Sequence, residues 1–434
     1  MTGVGSDGSG AVRSAIRSLS PEMESLLPRL IGFQSLSGQE GPVTRFLAEF
    51  GGSRGLDVDL WQSSEADVSR IAPLPPRHIP LAGRPTLVLR LRGASPGPTL
   101  LFNAHSDVVA APEPSRWRFP PFSGASHAGS IYGRGACDTL GPLVSALWAM
   151  LAVRAARPEG LRGDLLLEIV PGEEDCVGLG TLTSIARGWR ADAAVVLEPT
   201  TGLPRCASRA GCRFEITARG RAVHGTVKWL GIDAIDAIHR VQSALVAMET
   251  RWNDRDADDL FASYPIARPM TLDRIEGGAG GWQGMVCDRC TCAGYLELLP
   301  RDNLEAMQER FRDELLREAS ARGVDPSLLV VTFSEAYPGH RTDPADPLCS
   351  AALDVWKEWQ SPGSAAWSSW SGFNSGCEAG IRWNLHQTPT LVWGPGNLAH
   401  AHAIDERVGL SELSTAAGMF AALALRWTSL QGLA

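Results

Sequence analysis

The run TLLFNAHSDVV, residues 99–109, takes a series of strand-forming apolar residues into a histidine and an aspartate two positions apart. Strand side chains alternate faces, so His105 and Asp107 are expected side by side where a strand ends. An aspartate there can fix one imidazole tautomer and leave the other ring nitrogen free for a metal. Taken alone, the pair could equally be a histidine satisfied by a local carboxylate. The rest of the chain supplies more groups of the same kind. GRGACDTLGP places Asp138 in a Gly-rich turn ahead of a helix, PGEED carries Glu173 and Glu174, LEPT carries Glu198, and GPGNLAHAHAIDE carries His402. One histidine and two carboxylates can hold one cation; a shared carboxylate with another glutamate and another histidine can hold a second. A thiolate-free set of N and O donors suits zinc, cobalt or manganese in a catalytic site. Two such ions ~3.5–4 Å apart polarise a carbonyl and lower the pKa of a bridging water toward ~7. Glu173 is then the unassigned carboxylate, free to act as a base.

These groups need a common scaffold. Apolar runs at LDVDLW, PTLVLRLRG, TLLFNAHSDVV, GDLLLEIVPGEED and ADAAVVLEPT alternate with helical stretches such as GPLVSALWAMLAVRAA and LGTLTSIARGW. Strands alternating with helices predict an α/β fold on a mostly parallel sheet, whose functional residues gather at the carboxyl ends of its strands. His105, Glu173, Glu174 and Glu198 all follow apolar runs. Near residue 209 the texture changes. Strand, helix, strand, strand, helix, strand over CRFEITARG to SLLVVTFSEAYP reads as an α+β sandwich, with Ile235, Ile238, Val241, Leu245 and Met248 forming the apolar face of its first helix. The expected division is 1–208 and 338–434 for one domain, with 209–337 inserted as a second.

With 434 residues, 44% hydrophobic and 20% charged, the chain has the composition of a globular protein of two or three domains. A net charge of -8 and the absence of a basic tract argue against a nucleic-acid partner. No apolar run reaches the ~20 residues of a membrane span. The Gly/Ser-rich start, MTGVGSDGSGAVRS, lacks a signal peptide's apolar stretch and reads as a mobile tail, which points to a cytoplasmic protein. Nine dispersed cysteines suggest free thiols; Cys287, Cys290 and Cys292 cluster in CDRCTC but read as packing residues in a strand. SAAWSSWSG reads as a loop. His127, His239, His340 and His386 have no motif around them and read as structural, and His400 as supporting His402 or exposed.

Together, and in this order, the motifs resemble those of the dinuclear zinc hydrolases that include acetylornithine deacetylase, succinyl-diaminopimelate desuccinylase, aminoacylase and glutamate carboxypeptidase. The likeness runs from SLSGQEG to AHAIDERV and is strongest toward the acetylornithine deacetylase branch, through SGCEAGI and TLVWGPGNLAHAHAIDE. The resemblance implies two divalent ions, zinc first, one on His105, Asp138 and Glu198 and the other on Asp138, Glu174 and His402. It implies that Asp107 orients His105, and that Glu173 is general base and then general acid. The inserted domain would be a ferredoxin-like lid and dimerisation domain. His224, in GRAVHGT, would reach an active site, the partner's in dimeric members, to stabilise the oxyanion. The implied activity is hydrolysis of a small-molecule N-acyl amine or N-acyl amino acid. The alternatives are a dipeptidase or carboxypeptidase of the same family, or an inactive binding protein on its scaffold.

One departure stands out. Relatives that cleave amino acids carry an asparagine before the second central lid strand and an arginine near its end, which grip a carboxylate. Here Gly284 and Glu297 fall at those positions, and neither can make a bidentate carboxylate clamp. Either Arg289 or Arg301 substitutes, or the substrate lacks that carboxylate. Fourteen tryptophans are a heavy load, and Trp367, Trp370, Trp383 and Trp393 raise the expectation of an aromatic pocket near the site.

Overall fold

The computed structural model describes residues 6–72, 79–175, 178–253, 258–278, 284–360 and 367–430. Ten strands carry the two main sheets: β1 (Asp57–Trp61), β2 (Thr86–Leu91), β3 (Leu100–His105), β4 (Leu165–Val170), β5 (Ala193–Val196), β6 (Ala210–Arg219), β7 (Met270–Gly277), β8 (Arg289–Leu298), β9 (Leu329–Tyr337) and β10 (Thr390–Val392). The larger sheet has the order β1-β2-β4-β3-β5-β10. Strands β4, β3, β5 and β10 are mutually parallel and only β2 runs against the rest. The parallel strands are wholly buried, which is why their sequences are continuous apolar runs. Their carboxyl ends fall along one edge, with His105 opposite Val170.

The helix Leu140–Ala156 is buried from Leu140 to Val153 because it lies between this sheet and two further helices, Ser6–Ile31 and Leu410–Ser429. Here the structure corrects the expected mobile tail. Residues 1–5 lie outside the described residues, but from Ser6 onward the chain is helical, and Val12 and Ile16 are core residues. The Trp148 indole N–H donates to the Ile16 carbonyl at 3.1 Å. A four-residue apolar spacing outweighed the glycine and serine content around it.

The second sheet is fully antiparallel, in the order β7-β8-β6-β9. One face packs on the helices Ala234–Asn253 and Leu304–Ala321 through Phe214, Ile216, Val241, Leu245, Met248, Phe311 and Leu315. Cys287, Cys290 and Cys292 are free thiols buried at this end of the molecule. Ile235 does not join the core; it is exposed, because Ala234 and Ala237 occupy the inward positions of that first turn. The chain enters and leaves this sheet side by side: Ala207–Ser208 pairs antiparallel with His340–Arg341, and the Ser208 hydroxyl lies 2.7 Å from His340 Nδ1. No helix among the described residues is long and apolar enough to cross a membrane.

Candidate active site

The carboxyl edge of the parallel sheet gathers the residues singled out above. His105 is the last residue of β3, Glu173 and Glu174 sit in the turn after β4, and Glu198 follows β5 by two residues. Asp138 comes from the Gly-rich turn ahead of Leu140–Ala156, and His402 from the segment after β10. Ligand atoms of His105, Asp138 and Glu174 all lie within 4.8 Å of one another. The two oxygens of Asp138 face different histidines: Oδ1 is 3.0 Å from His105 Nε2 and Oδ2 is 3.4 Å from His402 Nε2. His402 Nε2 is also 3.0 Å from Glu174 Oε2. His402 is half-exposed and adopts a left-handed backbone, φ 58°, an uncommon conformation for a side chain of this size and one that clusters at functional sites.

The His105 tautomer follows from its second nitrogen. Nδ1 lies 2.8 Å from the backbone carbonyl of Asp107, which can only accept, so Nδ1 carries the hydrogen. Nε2 of a neutral ring then presents a lone pair to a carboxylate oxygen, and two acceptors 3.0 Å apart need a proton or a cation between them. Here the expected role of Asp107 changes. Its carboxylate is 3.8 Å from Nδ1, and instead accepts backbone N–H groups from Gly172 (2.9 Å), Glu173 (3.2 Å) and Glu174 (3.0 Å). The carbonyl orients the histidine, and the carboxylate grips the turn that carries both glutamates. The chain leaves the strand after His105, so strict alternation of faces no longer applies.

Other buried groups hold the same parts. The Glu406 carboxylate accepts the N–H of Cys137 (3.0 Å) and of Asp138 (3.2 Å), and Arg134 donates to its other oxygen at 2.6 Å. Arg84 pairs with Glu40 at 2.6 Å and with Asp175 at 2.8 Å, fixing the far end of the glutamate turn. Gly172 in that turn has φ 77°, and a Cβ there would lie 2.9 Å from the Arg84 guanidinium. The Tyr337 hydroxyl, at the end of β9, donates to the Glu173 carbonyl at 2.8 Å. Sequence reasoning missed Glu406, Arg134, Arg84 and Tyr337 as supports. Arg134 and Glu406 stand 272 residues apart, and nothing in the spacing joins them.

The electrostatics of the cluster are lopsided. Burial, and then the charges of neighbouring carboxylates, push Glu173 and Glu198 well above the ordinary range, and raise Glu174. Against the cost of burial, hydrogen bonds to His105 and His402 hold Asp138 below its ordinary value. Both histidines are pulled upward despite burial, His105 by Asp138 and Glu173 and His402 by Asp138 and Glu174. Four acids crowded around a buried and a half-exposed histidine demand positive charge. That donor set, with oxygen and nitrogen only, fits a pair of divalent cations.

The remaining expected residues lie elsewhere. His224 is exposed on the loop after β6, where its Nδ1 meets the Thr226 hydroxyl at 2.8 Å; no hydrogen bond or ion pair joins it to the carboxylate cluster. Arg289 and Arg301 are exposed. Trp393 is core, stacked edge-on against Phe420 with its N–H on the Gly202 carbonyl, and Trp367 packs between Trp356 and Trp370. These tryptophans build the body of the fold. Residues 364–366 of the expected Ser/Trp-rich loop lie outside the described residues.

Known proteins resemble this chain in sequence and in fold. Over 369 residues the chain is 27% identical to an N-formyl-4-amino-5-aminomethyl-2-methylpyrimidine deformylase of Bacillus subtilis (strain 168), covering 76% of this chain and 80% of that one. The fold is similar to that of the dipeptidase Dug1p from Saccharomyces cerevisiae (TM-score 0.80, 15% identity, 99% of this chain and 100% of that chain). It is also similar to a dinuclear metal-binding peptidase of the M20 family from Bacillus subtilis (TM-score 0.60, 16% identity, 94% and 98% covered). The model of peptidase family M20/M25/M40 matches residues 101–426, which span every member of the cluster, so the chain belongs to that family of metal-dependent amide hydrolases.

Proposed function

We propose that this hydrolase removes a small acyl group from an N-acyl amine, using two divalent ions at the carboxyl edge of the parallel sheet. The observation that carries the reading is Asp138, each of whose oxygens faces a different histidine among carboxylates with raised pKa. His105, Asp138 and Glu198 would hold one ion, and Asp138, Glu174 and His402 the other, zinc first and cobalt or manganese as alternatives. Bound there, the pair would supply Lewis acidity toward an amide carbonyl and a more acidic water. Glu173 takes the proton of the attacking water and delivers it to the departing nitrogen. Burial and the neighbouring carboxylates raise its pKa, which suits holding that proton between the two transfers. Asp107 and Tyr337 hold the Glu173 turn in place for both transfers.

His224 completes the site as a donor to the carbonyl oxygen as that oxygen gains charge, supplied across a dimer by the second sheet acting as a lid. Its exposure supports this, as does the apolar surface around it: Trp229 is 74% exposed and Leu230 55%, unusual for a face left in water. An amine leaving group is favoured over an amino acid because Gly284 and Glu297 cannot clamp a carboxylate, and because the Bacillus subtilis relative is named for an N-formyl aminopyrimidine.

The test is a substrate panel on protein loaded with zinc or cobalt. Close to two metal equivalents per chain, with turnover of N-formyl or N-acetyl amines and none of dipeptides, is the expected result. At most one equivalent after reconstitution, or turnover confined to dipeptides, would overturn it.

A further inference from the structure

Two clefts flank the metal cluster along the carboxyl edge of the parallel sheet, and their charges are opposite. In the order β4-β3-β5-β10, the glutamate turn follows β4 and His105 ends β3. On the β4 side, a cleft of about 450 Å³ separates Glu174 and Asp175 from the open face of the lid, the one turned away from its helices. Four acids line it, Glu174, Asp175, Glu215 and Glu335, and its two arginines are paired, Arg213 with Asp273 and Arg274 with Glu215. On the β5 and β10 side lies a second cleft, of about 420 Å³. Its walls include Pro199, one residue after Glu198, and Ala399, three before His402. Thr200 pairs with Asn397, and a Cβ on Gly396 would lie 2.7 Å from the Cβ of Cys137, the residue before Asp138. This cleft is therefore built from the backbone that carries the metal-binding groups. Among the described residues no acid lines it, and Arg205 does. Arg205 is half-buried and joins no described carboxylate, whereas Arg84, Arg134 and Arg382 each hold one. Its guanidinium donates to the Ser371 hydroxyl, and its backbone is fixed by two hydrogen bonds of 2.9 Å to Val392, the last residue of β10. Asn397 Oδ1 accepts the Ala399 N–H at 2.9 Å, which leaves its amide nitrogen as a further donor. Tyr264 and Phe373 add an apolar wall.

We infer that this second cleft is the acyl subsite and takes an acyl chain ending in a carboxylate, gripped by Arg205, so that the preferred substrates are mono-amides of a short dicarboxylic acid. The inference rests on the two-metal amide-hydrolase reading above and extends it to the acyl side. The direction follows from proton delivery. Glu173 serves the departing nitrogen from the β4 side, so the leaving group lies toward the acidic cleft and the acyl chain runs the other way, past Glu198. The guanidinium presents two parallel N–H donors that match a carboxylate. An acetyl amide meets the same metals without that grip and is the poorer substrate. Hydrolysis adds one water and yields an ammonium ion on the acidic side and a dicarboxylate on the basic side, so each product forms beside charges of opposite sign.

The test uses metal-loaded protein, wild type and two variants, Arg205→Ala and Arg205→Lys. The substrates are the mono-benzylamides of malonic, succinic and glutaric acid, each beside the benzylamide of the monocarboxylic acid of equal length. The wild type should favour at least one carboxylated amide over its neutral partner, with a KM roughly 10–100-fold lower. Arg205→Ala should erase that preference and leave the neutral amides within about threefold, which also shows that the variant folds. Arg205→Lys keeps the charge without the fork and should recover part of it. Calorimetry with free malonate, succinate and glutarate against the matching monocarboxylates reads the same contact without turnover. No preference at any of the three lengths, or an equal effect of Arg205→Ala on both members of a pair, would reject the subsite. If the wild type hydrolyses none of the amides, the activity reading fails, and the calorimetric comparison still decides the subsite.

Discussion

The metal cluster and the open face of the lid are built from the same residue types, and they behave oppositely. In the cluster, acids are gathered together, and two of the turns that carry them are tied down by other buried carboxylates, the glutamate turn by Asp107 and the Asp138 turn by Glu406. On the lid face the charges pair off at the surface: Arg213 with Asp273 at 2.8 Å, Arg274 with Glu215 at 2.8 Å. Both members of the second pair are more than 40% exposed. Surface pairs of this kind contribute about 0–1 kcal/mol, whereas buried acids without counter-charge shift their protonation by whole units. The contrast locates chemistry where charge is unbalanced and held rigidly, and recognition where charge is balanced and exposed. Glu297 is the exception on the lid face, half-buried with one oxygen fully buried and unmet among the described residues, and that is why it stands out there.

The largest effect that tests this contrast is at Glu173. Glu173→Gln keeps the shape and cannot accept a proton, so turnover should fall roughly 10²–10⁴-fold with both metals retained. Near-normal kcat in the metal-loaded variant would remove Glu173 from the mechanism. Mixing that variant with His224→Ala should regenerate activity if the histidine works across a dimer, because one site of each mixed dimer then holds both native residues; silence from a verified heterodimer would rule that arrangement out.

A smaller effect is expected one layer out. Glu406→Gln keeps an acceptor for the N–H groups of Cys137 and Asp138 but leaves Arg134 without its anion. Metal affinity should drop about 10–100-fold while kcat at saturating metal changes little. A competition titration against a chromogenic chelator measures the first, and an equal loss of kcat with unchanged affinity would contradict the positioning role.

Smaller again is a pH effect at Glu378. This residue is 1% exposed beside Thr181, with neither oxygen in hydrogen-bond geometry, and burial raises it to about 8. Its folded-state pKa lies above its unfolded value of ~4.3, so its contribution is fully present below that value and is lost as pH rises toward 8. Glu378→Gln should therefore melt like the wild type near pH 4.5 and a few degrees higher at pH 8. A difference in melting temperature that does not grow with pH would sink this account. The smallest effect belongs to the lid surface: Arg274→Ala should cost less than about 1 kcal/mol in denaturant unfolding, and less still in high salt. A loss of several kcal/mol would mean the lid face is held as tightly as the cluster.

Much of this was legible in the chain because parallel strands are continuous apolar runs and the residues following them become neighbours. His105, Glu173, Glu174 and Glu198 could be placed together on that ground alone, while the pairing of Asp138 with both histidines needed the family likeness. What escaped was non-local or masked by composition. Arg134 with Glu406 and Arg84 with Glu40 join distant segments. The helix from Ser6 was hidden by its glycines, although Val12 and Ile16 carry the helical spacing. Asp107 was assigned the right neighbour and the wrong atom, since a carbonyl and a carboxylate of one residue cannot be told apart from sequence. Glu297 was visible only as a missing arginine; its unmet oxygen needed coordinates.

The paired crossing strands at Ser208 and His340 give the lid a mechanical character. Two straps hung side by side act as a single axle, so the lid's natural motion is a swing about one line. Displacement then grows with distance from that line. Glu297 stands opposite Gly211, one residue into β6 and close to the axle, whereas His224 lies beyond the far end of the same ten-residue strand, roughly 30 Å out. A swing of a given angle about that line moves the edge at Glu297 least and the loop at His224 far more.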